Sequence, residues 1–294
     1  MKEKQGAIIT IIGGILWGFS GTCGQYLMNV CMIPSLYLTF IRLLVAGLIL
    51  TGFTLFKNPK DIFKLLSHKI DRRIFLFFAI FGMSFNQVSY LTAISYSDAG
   101  TATVLQYLGP ILIVLYMCIH ERRAPRLIEI ICLTLALFGT FILVTGGDIH
   151  ALKISGLGLF WGLIAALALV FYNIIPGSIL GKYDIKVITG LAMTVGGILL
   201  FFIVPKDVSI PWSPIVFIAF LGLIILGTVF AYTLYLKGVE MIGPIKASLI
   251  VCVEPVAAVL FSKLLLDTAI TGVSFIGMIF ILGAVILLSL QKDG

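Results

Sequence analysis

The sequence predicts an all-α membrane protein of ten transmembrane helices, arranged as two inverted five-helix repeats. Three observations lead there. The chain of 294 residues is 60% hydrophobic and 11% charged, with a mean hydropathy of +1.16. A soluble domain carries about 25% charged residues, so this chain has too little polar surface to face water on its own. Its apolar residues fall into runs long enough to span a bilayer, and its second half echoes the first at a nearly constant offset.

Crossing about 30 Å of hydrocarbon takes roughly 20 helical residues. Ten runs fit: residues 6–28, 34–56, 74–95, 100–119, 127–145, 154–180, 187–204, 213–236, 243–262 and 271–290. The alternating short segments of a membrane β-barrel are missing. Connections are short, so no soluble domain is expected between spans. The first run is too long for the core of a removable signal peptide and lacks a convincing cleavage site.

Lys and Arg set the expected orientation. With the N-terminus placed in the cytoplasm, 15 of the 20 fall on the inside, and Lys153, Lys206 and Lys263 fall outside. Arg42 and Lys246 lie within spans. Both termini are therefore expected in the cytoplasm, and the short loops suit a bacterial cell membrane. The net charge of +7 is spread over these loops rather than gathered on one soluble face, so no nucleic-acid partner is expected. Cys23, Cys31, Cys118, Cys132 and Cys252 form no CxxC or Cys/His cluster and read as packing residues. His68, His120 and His150 are too dispersed for a metal site. No metal or cofactor is expected, and the oligomeric state is not legible.

The repeat emerges by sliding the sequence on itself. At an offset of 144, GILWG (14–18) lies over GLFWG (158–162), and Asn29 over Asn173. At 145, Gly82 meets Gly227, Tyr90 meets Tyr235, Ala102 meets Ala247 and Pro110 meets Pro255. At 144 again, Gly139 meets Gly283. The expected units are residues 1–148 and 149–294. Five spans is an odd number, so the second unit enters the membrane the other way up, and inverted repeats place a substrate site near the midplane. Glu254–Pro255 and Gly109–Pro110 then mark matching irregularities, because proline removes a helical hydrogen bond.

These residues resemble the EamA-type members of the drug/metabolite transporter superfamily. The resemblance covers nearly the whole chain. It is carried by GTATVLQYLGPILIVLY (100–116) with the HER that follows (120–122), by GPIKASLIVCVEPVAAVLF (243–261), by the tryptophan-bearing starts of spans one and six, and by Arg42. The LQYLGP and VEP segments are nearest to the threonine and homoserine exporter branch. The resemblance implies a ten-helix carrier that alternates access without ATP. It also implies a cavity lined by spans one, three, four, six, eight and nine, with five and ten peripheral. One departure stands: Glu121 fits the acidic residue expected after span four, but Asp267 matches its counterpart after span nine only loosely.

Glu254 leads the candidate site residues, because an ionisable group at membrane depth costs about 2.5–3.5 kcal/mol by insertion scales and normally faces protein or water. It reads either as a proton-exchanging or ammonium-binding carboxylate, or as a brace for the Pro255 bend. Arg42, roughly 12 Å into its span, reads as a bidentate partner for a substrate carboxylate or as a structural partner. Lys246 reads as a snorkelling interface residue or as part of a gate. Asn86, Gln87 and Tyr90 in span three, with Gln106 and Tyr107 in span four, read as substrate-orienting groups or interhelical hydrogen bonds. Trp17, Trp161, Tyr172, Tyr232 and Tyr235 read as an aromatic wall for an amine or as packing. Phosphate-loop, GxSxG and HExxH patterns are missing. The expected function is secondary transport of a small polar or zwitterionic metabolite, an amino acid or related amine, with protons as a candidate coupling ion. The alternatives are a multidrug or nucleotide-sugar-like carrier and, in another class, a membrane enzyme acting on lipids.

Overall fold

The computed structural model describes residues 2–57, 59–97, 99–152, 155–267 and 270–290. Lys153 and Lys292, both used in the orientation argument, lie outside them. The described residues are helical, with no strand. The helices are α1 (Lys2–Asn29), α2 (Ser35–Lys57), α3 (Pro59–Ser67), α4 (Lys69–Phe77), α5 (Phe85–Tyr96), α6 (Ala99–Gln106), α7 (Gly109–His120), α8 (Leu127–Thr145), α9 (Gly156–Ile174), α10 (Ile185–Phe201), α11 (Pro214–Leu221), α12 (Ala231–Ile250), α13 (Glu254–Leu266) and α14 (Gly272–Leu290).

Eight helical stretches among the described residues are long and apolar enough to cross a bilayer. Two differences from the expected ten have local causes. The seventh run forms α10, which has only 17 residues. The eighth and ninth runs join into one helical stretch, Pro214–Leu266, of 53 residues. At 1.5 Å per residue that is about 80 Å, far more than a bilayer needs, so it must fold back. The fold-back is at Gly243, whose φ of 77° and ψ of 164° lie in a region only glycine adopts readily, and Pro244 follows it. Contacts with α1 confirm the reversal. Before the break, Ala231 and Tyr235 face Gly13 while Ile242 faces Gly6; beyond it, Val253 faces Gly14 and Ala257 faces Gly18. The chain descends along α1 and then climbs back along it.

Two other spans contain a wider turn. Phe78–Ser84 joins α4 to α5 as a π-helical segment, and Gly222–Phe230 joins α11 to α12 in the same way. π-helical turns are rare and cluster at functional sites. The first packs against α9 and α10, the second against α1 and α2. The segment joining α6 to α7 breaks at Tyr107–Leu108, and a short 3-10 turn, Val251–Val253, separates α12 from α13. Pro110 and Pro255 each occupy the first turn of the helix that follows, where the missing N–H removes no helical bond.

In hydrocarbon, helices associate through close packing of small residues. Helices α2 and α10 cross antiparallel, Gly47 facing Thr194 and Gly190 facing Leu50 and Thr51. Helices α8 and α14 cross likewise at Gly139 and Gly277. The sequence reading missed α3, whose nine residues are too few for a span and too charged to stand out from a loop.

A methyl group at Gly47 would sit 2.4 Å from the Thr194 backbone nitrogen, whereas one at Gly52 on the same helix meets nothing within 4 Å. Overpacking of this kind costs about 1–3 kcal/mol. Gly47→Ala is therefore expected to lower the thermal midpoint of the detergent-solubilised protein by several degrees, with Gly52→Ala neutral or slightly stabilising; fluorescence-detected thermal unfolding reads both.

Candidate functional site

Arg42, on α2, donates through Nη2 to the side-chain oxygen of Gln87 on α5, and the Gln87 amide donates to the Tyr232 hydroxyl on α12. Gln87 and Tyr232 stand just beyond the two π-helical segments. They are 145 positions apart, the same offset that relates the two halves of the sequence.

An aromatic cluster surrounds this thread. Trp17 meets the Tyr232 ring edge-on at 4.8 Å and the Tyr235 ring at 4.9 Å. Tyr172 stacks on Tyr235 at 5.9 Å and meets Tyr232 edge-on at 6.0 Å. The Tyr235 hydroxyl donates to Asn173 Oδ1, and the Asn173 amide donates to the Leu169 carbonyl at 2.8 Å. Phe78 closes the cluster against Tyr172.

Glu254 opens α13 directly after the 3-10 turn. Its one hydrogen bond among the described residues comes from the Tyr107 hydroxyl at 3.4 Å, long for an O–H donor. Gln106 donates to Asn86 Oδ1 at 3.2 Å, and the Tyr90 and Thr103 hydroxyls lie 2.7 Å apart. Arg42 stands on α2 and Glu254 at the start of α13. No ion pair joins them among the described residues.

Among the described residues, four buried side-chain polar atoms lack a hydrogen-bond partner: Trp17 Nε1, Arg42 Nε, Tyr172 Oη and Thr140 Oγ1. The first three belong to the arginine–aromatic cluster. An unpaired buried donor costs about 1–3 kcal/mol.

The structure thus gathers Trp17, Arg42, Gln87, Tyr172, Tyr232 and Tyr235, and beside them Asn86, Tyr90, Gln106, Tyr107 and Glu254. Two expected residues stand apart. Trp161 has its ring contact with its chain neighbour Phe160, and Lys246 is paired with Glu3 at 2.9 Å, at the start of α1. After α7, Arg123 bridges Glu121 at 2.6 Å and Glu129 at 2.9 Å. After α13, Asp267 pairs with Lys263, one turn back, at 2.6 Å.

Sequence reasoning missed a second polar group. Thr22 and Gln25 on α1 meet Ser262 on α13 at 3.3 and 3.2 Å. Its signal was available: Gly14, Gly18, Thr22 and Gln25 form one small or polar stripe along α1. No three His, Cys, Asp or Glu side chains gather as a metal would need among the described residues. A mainly apolar cavity of about 380 Å³ lies between α6 and α8, lined by Val104, Tyr107, Leu137 and Thr140 among others.

Comparison with known proteins agrees with this architecture. The model of the EamA-like transporter family matches residues 4–145 and again 156–290. The uncharacterized inner membrane transporter YicL of Salmonella typhimurium is 38% identical over 292 residues, covering 99% of this chain and 97% of that protein. An uncharacterized transporter of Archaeoglobus fulgidus is 24% identical over 267 residues, covering 90% and 91%. A solved crystal structure superposes with a TM-score of 0.75 over 96% of both chains at 16% identity, which speaks for the fold alone.

Gln87→Leu would leave the Tyr232 hydroxyl without its donor and Arg42 Nη2 without its acceptor. The expected cost is about 1–3 kcal/mol. Trp161→Phe should stay within about 0.5 kcal/mol. Denaturation of both purified variants beside the parent measures the contrast.

Proposed function

Because the chain belongs to the EamA-like transporter family, we propose that this membrane transporter is a secondary carrier for a small zwitterionic metabolite, an amino acid or related amine. In this reading its ten crossings form two inverted five-helix halves, residues 1–148 and 149–294, that rock about a midplane site. Both termini face the cytoplasm of a bacterial cell. Protons are the candidate coupling ion.

Several contacts support the two-half reading. The π-helical segments, the two breaks and the prolines that follow them recur at the offset of 145. The first π-helical segment packs on α9 and α10, and the second on α1 and α2, an exchange that a pseudo-twofold axis would produce. Residues near such an axis would touch their own counterparts, as Gln87 and Tyr232 do. The pairing of α2 with α10 and of α8 with α14 obeys the same rule. Orientation is supported by Lys57 and Lys186, which flank the Phe53 ring, and by Lys182 bound to Asp71, so basic connections meet on one face.

The observation that carries the substrate class is the arrangement of unpaired groups. Arg42 Nε, Trp17 Nε1 and the Tyr172 hydroxyl are donors awaiting an acceptor. Glu254 is a carboxylate with a single long hydrogen bond among the described residues, from the Tyr107 hydroxyl. A substrate carboxylate suits the first group and an ammonium the second. When no substrate is bound, Glu254 is the natural acceptor for a proton, since an uncompensated carboxylate is costly in this setting. The apolar cavity beside Tyr107 favours a second reading, a carrier of lipophilic amines.

Liposomes containing the purified protein, labelled amino acids and an imposed proton gradient test the proposal. Gradient-driven uptake should fall at least tenfold in Glu254→Gln. Exchange that ignores the gradient and survives the substitution would remove the proton role and keep the carrier. Flux of lipophilic cations without amino-acid flux would favour the second reading, and conversion of lipid without flux would mean an enzyme.

A further inference from the structure

We propose that α3 and the start of α4 form a docking surface for anionic phospholipid headgroups. Along α3, Leu65, Ile62, Leu66 and Phe63 occupy one arc of the helix, and Lys60, Asp61 and Lys64 the other. Ile62 and Leu65 are buried in the core beside Phe75 and Tyr183. Phe63 remains 65% exposed and Leu66 36%, with Ile70 of the next helix 63% exposed. Half of the apolar arc is therefore turned away from the protein. A short helix of this composition lies in the plane of a membrane surface, apolar side chains toward the acyl chains and cations among the headgroups.

The charges select the lipid. Residues 57–73 carry six cations, Lys57, Lys60, Lys64, Lys69, Arg72 and Arg73, against Asp61 and Asp71. Asp71 is already held by Tyr183 at 2.7 Å and Lys182 at 3.3 Å. Lys60, Lys69 and Arg73 make no ion pair among the described residues. Clusters of Lys and Arg beside a membrane span recognise anionic lipid. A nucleic acid or an acidic protein would answer the cations but leave Phe63 and Leu66 facing water. A zwitterionic leaflet would cover the rings but not answer the charges. Lys64 also stands 5.6 Å over the Tyr183 ring, so lipid bound here sits on the joint between the α3–α4 corner and the connection leading into α10.

The full-length protein in mixed micelles tests this, with retained lipid read by native mass spectrometry. The parent should retain phosphatidylglycerol over phosphatidylcholine at least tenfold. The combined variant Lys60→Gln, Lys69→Gln, Arg73→Gln should weaken phosphatidylglycerol binding on the order of 10²-fold. An equal charge change placed elsewhere, Lys2→Gln, Lys4→Gln, Lys237→Gln, should leave the preference in place. The indole introduced by Phe63→Trp should be quenched by brominated phosphatidylglycerol. No preference in the parent, equal loss in both triple variants, displacement by inorganic phosphate or an acidic peptide, or an unquenched, water-like indole would each overturn the proposal.

Discussion

A polar group in hydrocarbon must find its partner inside the protein, and the hydrogen bonds through Gln87 show what that requirement builds. One amide accepts from a guanidinium on α2 and donates to a phenol on α12, so three helices distant in sequence are tied at one point. The same requirement explains why the backbone irregularities sit where they do. Non-helical backbone at membrane depth is tolerated only where protein or water can answer it. Pro110 and Pro255 stand at helix starts; Tyr107 lies in the break before the first and Glu254 directly after the turn before the second, and these two side chains bond to each other.

Much of this was legible in the sequence, for physical reasons that differ by element. Span length is legible because hydrocarbon thickness sets it, and α8 occupies the same residues, 127–145, in both readings. The tyrosines, Arg42 and Glu254 were legible because polar groups are expensive in apolar runs. The Gly243 reversal was legible only as a gap between two runs, since sequence does not reveal that helix continues on both sides of it. Trp161, read with Trp17 as part of an aromatic wall or as packing, lies against Phe160. Ring packing depends on neighbours, and Trp17 has two tyrosines where Trp161 has Phe160.

The π-helical segments leave no mark in the sequence, yet two residues of the candidate site follow them. A π turn adds one residue to a helical turn and so rotates everything after it by roughly 100° relative to regular helix. Gln87 and Tyr232 come directly after such turns. Gly82 and Gly227 lie inside them, and their closest neighbours would be the Phe78 ring and the Ser20 side chain. The glycines are legible as repeat markers; that they let a widened helix press against its neighbours is visible only in the fold.

The fold-back at Gly243 bears on what the chain tolerates at that position. A methyl group there would meet nothing within 4 Å, yet the φ of 77° is one that an L side chain rarely adopts. The constraint on this residue therefore comes from the backbone and not from its neighbours. Lys237 and Glu240, paired at 2.8 Å, precede it on the same helix. One residue's torsion angles thereby set the direction of everything beyond it.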